Sequence, residues 1–323
     1  MSYRFGPQLT VRRCAAIVRE LAIPAPFELE AFRARLEGRT GRIVELVPAV
    51  MPAGAPSGTL LRTAGADYLC YERHTSPLHQ AHIVLSLAAH LVLGDATGPL
   101  IDRRLVPDLS PQLIRLMLGD GPGSTATQEE AETFAFLALE CAGAAAYPPA
   151  LAWRALRRLM PLRSALCGAI PEAASVGIQG ARCSARLRLY QRVIELRDAA
   201  LILRPYRDPE LASSAARAAR AAGFSGRELA ATVEAAVLAA AVRAWNTGRP
   251  ALHSAGDTGV LPAPGPDLRS ETDWLVTVSR AFAQLYQDGK TRRRRGSREP
   301  AGRHGVPRGK RSPAAPLNAW SLY

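Results

Sequence analysis

An α+β protein is predicted: helices around a small antiparallel sheet, then an all-helical second half, then a disordered basic tail. Three observations predict it. Strand-like runs occur only between Arg42 and Tyr71, helix-start signals recur from Ser76 to Ser225, and positive charge gathers at the C-terminal end. At 323 residues the chain exceeds the roughly 100 to 200 residues of one typical domain. Its 48% hydrophobic and 21% charged composition suffices for real cores and excludes disorder throughout.

A first helix is expected from about Thr10 to Leu21, broken by Pro24 and Pro26, and a second carries Phe27, Phe32 and Leu36 to its end at Gly38 and Gly41. Arg42 to Val47, Thr59 to Arg62 and Tyr68 to Tyr71 read as short strands, the last two joined by a turn at Ala64 to Asp67. Ser76 and Pro77 supply the N-cap and first position of a helix, LHQAHIVLSLAAHLVLG, which is apolar nearly all round and therefore buried. TATQEEAETFAFLALECAG forms the next helix, and the first domain (1–143) ends near Gly143. The small-residue run with Pro148 and Pro149 makes a linker, residues 144–150.

Residues 151–287 form the helical domain. Its helices cover Leu151 to Met160, Arg186 to Leu203, a helix started by Asp208 and Pro209 and stopped by Gly223, one with a Ser225/Glu228 capping box reaching Trp245, and one near Leu268 to Leu285. Residues 288–323 are rich in Arg, Gly, Pro and Ser and cannot bury enough apolar surface to offset their ordering entropy.

The formal charge of +13 suggests a nucleic-acid binder until its location is considered. From Lys290 to Tyr323 there are ten basic residues and one acid, whereas the preceding 289 residues carry 31 basic and 27 acidic groups. The Arg292, Arg293, Arg294, Arg295 run suits weak, non-specific contact with nucleic acid or an anionic surface, or simply solubilises the chain. Five scattered cysteines without a C-x-x-C exclude zinc fingers and redox motifs. No apolar leader or ~20-residue span is visible, so a cytoplasmic protein with free thiols is expected.

Four of six histidines, His74, His79, His82 and His90, crowd into the stretch around the buried helix. A helical zinc peptidase needs two histidines four residues apart and a Glu after the first. Four residues before His90 stands Ser86, followed by Leu87. His82 and His90 share a face but stand about 12 Å apart at ~1.5 Å rise per residue, too far for one ion. His79 and His82 form an alternative metal pair without an obvious third ligand. Arg192, Glu195, Arg197 and Asp198 in RVIELRD read as ordinary i/i+3 and i/i+4 salt bridging.

The run ADYLCYERHTSPLHQAHIVLSLAAHLVLGD resembles the core of ImmA/IrrE-type metallopeptidases, specifically an actinobacterial, regulator-associated (ParH-like) branch. In that family a T-S-P-L-x-Q-x-H helix start leads into H-E-L-G-H, and here Ser86, Leu87, Ala88, Ala89 and His90 occupy those positions. The resemblance covers about Val11 to Cys141 and implies a zincin-like fold. It places the acidic ligand, in the EAETFA context, at Glu130 with Glu129 beside it. One histidine ligand and the catalytic Glu are missing, which implies a pseudoenzyme with no cofactor. His90 is then a surviving ligand or a core histidine; Glu129 and Glu130 are ligands or first-turn acids favoured by the helix dipole.

The second half, with ALAWRALRRLMP, RLYQRVIELRDAALILRPY and ETDWLVTVSRAFAQ, resembles the helical domain of unknown function that follows the membrane spans of actinobacterial transporter-like proteins. Together the resemblances imply a non-catalytic regulatory protein in a toxin–antitoxin-like setting, partnered by a transcriptional regulator or a membrane component. Residual zinc peptidase activity on a repressor and nucleic-acid binding through the tail are the alternatives.

Overall fold

The structure, a computed structural model, describes residues 7–52, 55–93, 125–173, 184–252 and 265–296. Among them are nine α-helices and one three-stranded sheet. The first half holds α1 (Pro7–Leu21), α2 (Leu29–Thr40), β1 (Ile43–Ala49), β2 (Gly58–Arg62), β3 (Ala66–Glu72), α3 (Pro77–Val92) and α4 (Thr125–Cys141). The second holds α5 (Pro149–Ala169), α6 (Ala185–Ile202), α7 (Pro209–Ala221), α8 (Gly226–Asn246) and α9 (Leu268–Gly296). Among the described residues, no helix is long and apolar enough to cross a membrane.

The sheet is mixed rather than antiparallel. Its order is β1-β3-β2, with β3 antiparallel to β2 and parallel to β1. Thr63 makes the hairpin turn, its hydroxyl donating to the Ala66 carbonyl and accepting from the Ala66 N–H. β3 is buried along almost its whole length, so it takes the centre, and β1 lies along its other edge. Asp67, fully buried at the start of β3, is held by two nitrogens of Arg42 at 2.9 and 3.0 Å and by Arg62 Nε at 3.2 Å. α3 packs tightly on this sheet: a Cβ added to Gly58 would collide with the Ile83 side chain.

Local chemistry sets several helix ends. Ser76 caps α3 through the His79 N–H, Ser184 caps α6 through the Leu187 N–H, and Asp208 caps α7 through the N–H groups of Glu210 and Leu211. Gly41 closes α2 in the left-handed conformation at φ 66°. Ser225 stands at the N-cap of α8, but its side chain makes no capping bond, so the expected capping box is not formed.

Two helices outrun their expected ends. α5 continues past Met160 and through Pro161 to Ala169. A proline inside a helix disturbs the hydrogen-bond ladder, and here Ser279 of α9 repairs it: its hydroxyl donates to the Arg158 carbonyl at 2.8 Å and accepts from the Leu162 N–H at 3.4 Å. α9 likewise continues beyond Asp288 to Gly296, so the first residues of the expected disordered tail, including Arg292 to Arg295, are helical. Gln, Lys and Arg propagate a helix well once a packed segment has nucleated it, and the first proline comes only at Pro300. The rest of the tail, 297–323, and Cys183 lie outside the described residues.

The buried residues of both halves form one continuous cluster, from Cys14 and Val18 through Phe134 and Tyr190 to Trp274 and Phe282. The expected linker is a tight turn with Ala145 fully buried, and the Ala144 carbonyl accepts from the Leu268 N–H at 2.7 Å.

Candidate functional site

The histidines of α3 lie where the two halves meet. His79, His82 and Ser86 follow at i, i+3 and i+7, so they share one face, and all three are buried. His79 is braced from both ends: Nδ1 lies 2.8 Å from the Thr75 hydroxyl, and Nε2 stands 3.1 Å from Asp198 Oδ1 of α6, in ion-pair range but off the line of a good hydrogen bond. The His82 ring stacks against that of His79 with centroids 6.1 Å apart, and its Nδ1 lies 2.7 Å from the Tyr190 hydroxyl of α6. Tyr190 is itself enclosed, its ring 5.2 Å from that of Phe136 on α4.

Burial decides the protonation of this cluster. It lowers the His82 pKa from 6.5 to about 3, with the neighbouring His79 adding in the same direction and Asp198 opposing. Tyr190 is pushed well above its ordinary value of 10 by burial, with Glu132 adding. Glu132 of α4 is buried opposite them; desolvation raises its carboxyl from 4.5 to about 7, against a bond from Gln128. His82, Glu132, Tyr190, Gln191, Leu187 and Ile194 enclose a cavity of about 10 Å³, room for a single water and no substrate.

A second polar clasp lies at the edge of the sheet. Arg204, following α6, reaches Glu72 of β3 at 2.8 Å and donates to the Met51 carbonyl at 2.9 Å. Glu72 in turn accepts from the N–H groups of Met51 and His74. Arg186 of α6 adds an ion pair to Glu140 of α4 at 2.5 Å.

The residues singled out from the sequence fare differently. His79 and His82 are brought together, with Asp198 from the other half as a third neighbour. His82 Nδ1 is engaged by Tyr190, and among the described residues no three His, Cys, Asp or Glu side chains are placed to hold one metal. Glu130 turns to α1, 3.5 Å from Arg13; Glu129 and His90 are half-buried. Ser86 has a buried hydroxyl without a hydrogen-bond partner, and Leu87 packs toward β2 at Gly58. The side chains of Arg292 to Arg295 lie outside the described residues.

The charges of RVIELRD depart from simple intrahelical pairing. Only Arg192–Glu195, 3.1 Å, follows the i/i+3 rule. Arg163 of α5 also reaches Glu195 at 3.1 Å, Asp198 meets His79, and Arg197 pairs with Glu271 of α9, both nearly inaccessible. α6 is covered on most of its circumference, so these charges meet neighbouring helices rather than solvent. Tyr190 and Asp198 carry no sequence signal as histidine partners. Glu132 does carry one, since it shares a helix face with Phe136 four residues on.

A family model described as a family of unknown function, DUF6545, matches residues 150–284. The match covers the helical second half, where a domain of unknown function was expected. No curated protein and no solved structure matches the chain.

Proposed function

We propose that this protein is a non-catalytic interaction protein: a degenerate, zincin-like metallopeptidase scaffold of ImmA/IrrE type joined to a helical domain, acting with a transcriptional regulator or a membrane component. One observation carries the reading: α6 lies over the histidine-bearing face of α3. A catalytic zinc keeps one coordination position open to water and substrate. Here Tyr190 and Asp198 pack against His82 and His79, in the turns just before Ser86 and His90, and the cavity beside His82 admits one water. Ser86 and Leu87 add the chemical reason, because neither supplies a ligand or a general base where the motif requires them. The helical half thus covers the His79 and His82 part of this face, and the two halves, sharing one interior, present a joined surface to a partner.

The test combines metal analysis of the full chain with an assay on an unfolded protein substrate, with and without added zinc. Well under one zinc per chain and no hydrolysis are expected. About one zinc per chain, together with hydrolysis lost in His90→Ala, would instead establish a residual peptidase.

A further inference from the structure

α5 behaves unlike the helices around it. Its buried side is narrow, comprising Ala152, Ala155, Leu156, Leu159, Leu162 and Leu166, so about half the circumference of its first four turns stands free as a ridge. The helix contains four arginines and no carboxylate. Arg154, Arg157 and Arg158 are exposed along the middle of the ridge. Large apolar side chains flank them: Trp153 is 51% exposed, Met160 48% and Leu151 43%. Arg188 of α6 places its guanidinium 5.5 Å from the centre of the Trp153 ring, adding a further cation at that edge. Of the nearby carboxylates, Glu195 is already shared by Arg163 and Arg192, and Asp273 is a single exposed charge on α9.

We propose that the α5 ridge docks on an anionic lipid bilayer, with Trp153, Met160 and Leu151 entering the headgroup region and Arg154, Arg157 and Arg158 meeting lipid phosphates and carboxylates. Shape and charge together favour this partner. Peptides are taken up in grooves or at sheet edges, whereas a convex helix has neither. A polyanion such as DNA would satisfy the arginines but would leave Leu151 and Met160 in water or against phosphate. A bilayer surface takes both classes of side chain at once: tryptophan sits at headgroup level, and each nearby Arg is attracted by the negative surface potential. α9 reinforces the geometry. It runs parallel to α5, as the bonds Leu268 to Ala144 and Ser279 to Arg158 show, so its helical extension through Arg292 to Arg295 continues in the direction of the ridge. The inference is independent of whether the first half descends from a peptidase.

The full chain is sedimented with vesicles of phosphatidylcholine alone or with about 30% phosphatidylserine. Binding is expected only to the anionic vesicles and to weaken with salt. Arg154→Gln/Arg157→Gln/Arg158→Gln is expected to weaken it about a hundredfold, at roughly fivefold per arginine, and Trp153→Ala about tenfold. All four side chains are exposed, so a thermal melt close to that of the parent checks that each variant is folded. A variant with Arg292 to Arg295 replaced by Gln separates the contribution of the α9 extension. The proposal is overturned if the triple variant binds anionic vesicles as the parent does, if neutral vesicles bind equally, or if the triple variant loses affinity only for duplex DNA.

Discussion

The polar face of α3 and the outer face of α5 are opposites. On α3, two histidines that the sequence marks for chemistry are buried, held neutral in one case, and tied to the second half by a hydrogen bond to Tyr190 and a close approach to Asp198. On α5, arginines and a tryptophan without any motif remain in contact with solvent. The two buried histidines of α3 find partners on the neighbouring helix, because leaving such groups unpaired in the interior is costly, whereas the Ser86 hydroxyl on the same face is left without one. The surface left exposed is therefore the inconspicuous one. The same comparison explains why a chain with two sequence-level halves has one interior: hydrogen bonds and ion pairs from α6 and Arg204 reach into the first half, and apolar packing continues across them.

The contrast is sharpest for buried charge. Glu271→Ala leaves Arg197 uncompensated between α6 and α9, and the cost is expected to be about 3 to 5 kcal/mol in urea unfolding. Arg157→Ala on the ridge is expected to change stability by no more than about 0.5 kcal/mol. Similar costs for the two variants would erase the distinction between the faces.

The pH dependence of stability separates them next. In the folded chain His82 stays neutral down to about pH 3, whereas the unfolded chain binds a proton near 6.5. The unfolded state therefore holds more protons in that window, and the parent is expected to lose stability relative to His82→Gln as pH falls from 6.5 toward 3, by on the order of 4 kcal/mol. Glu132 acts oppositely. It keeps its proton to about pH 7 when folded but only to 4.5 when unfolded, so the parent is expected to lose stability relative to Glu132→Gln as pH rises from 4.5 to 7, by roughly 3 kcal/mol. His79, Asp198, Glu195 and Glu129 face the pair and are common to parent and variants, so the difference profiles report each group together with its coupling to these neighbours. Between pH 4.5 and 6.5 the two contributions offset each other. A flat difference profile for either variant would show that its group is not buried at the junction.

The smallest effect concerns the join between α5 and α9. Ser279→Ala removes the hydroxyl that bridges Arg158 and Leu162, and a loss of about 1 to 2 kcal/mol is expected in thermal or urea unfolding. The companion change Pro161→Ala restores a backbone donor inside the helix. It is expected to reduce the cost of losing Ser279 in a double-mutant cycle, and strict additivity would mean that the two are not coupled.

The sequence by itself determined what is decided within a turn or two of chain. Ser76, Ser184 and Asp208 mark helix starts because a capping oxygen and its N–H partners are two or three residues apart, and Gly41 marks a helix end because its backbone enters the left-handed region at low cost. The strand-like runs near β1, β2 and β3 were legible from the same short-range pattern, and so was the burial of α3. Strand order was not, since an apolar β3 between two partners and an apolar β3 at one edge of a hairpin read alike along the chain. His82 and Tyr190 are 108 residues apart, so no spacing could pair them. Pro161 shows the limit most simply: local chemistry ends a helix there, and α5 continues because a hydroxyl more than a hundred residues away occupies the gap in its hydrogen-bond ladder. Hydrogen bonds and burial act over a few ångströms of space, and only the folded chain sets which distant residues share that space.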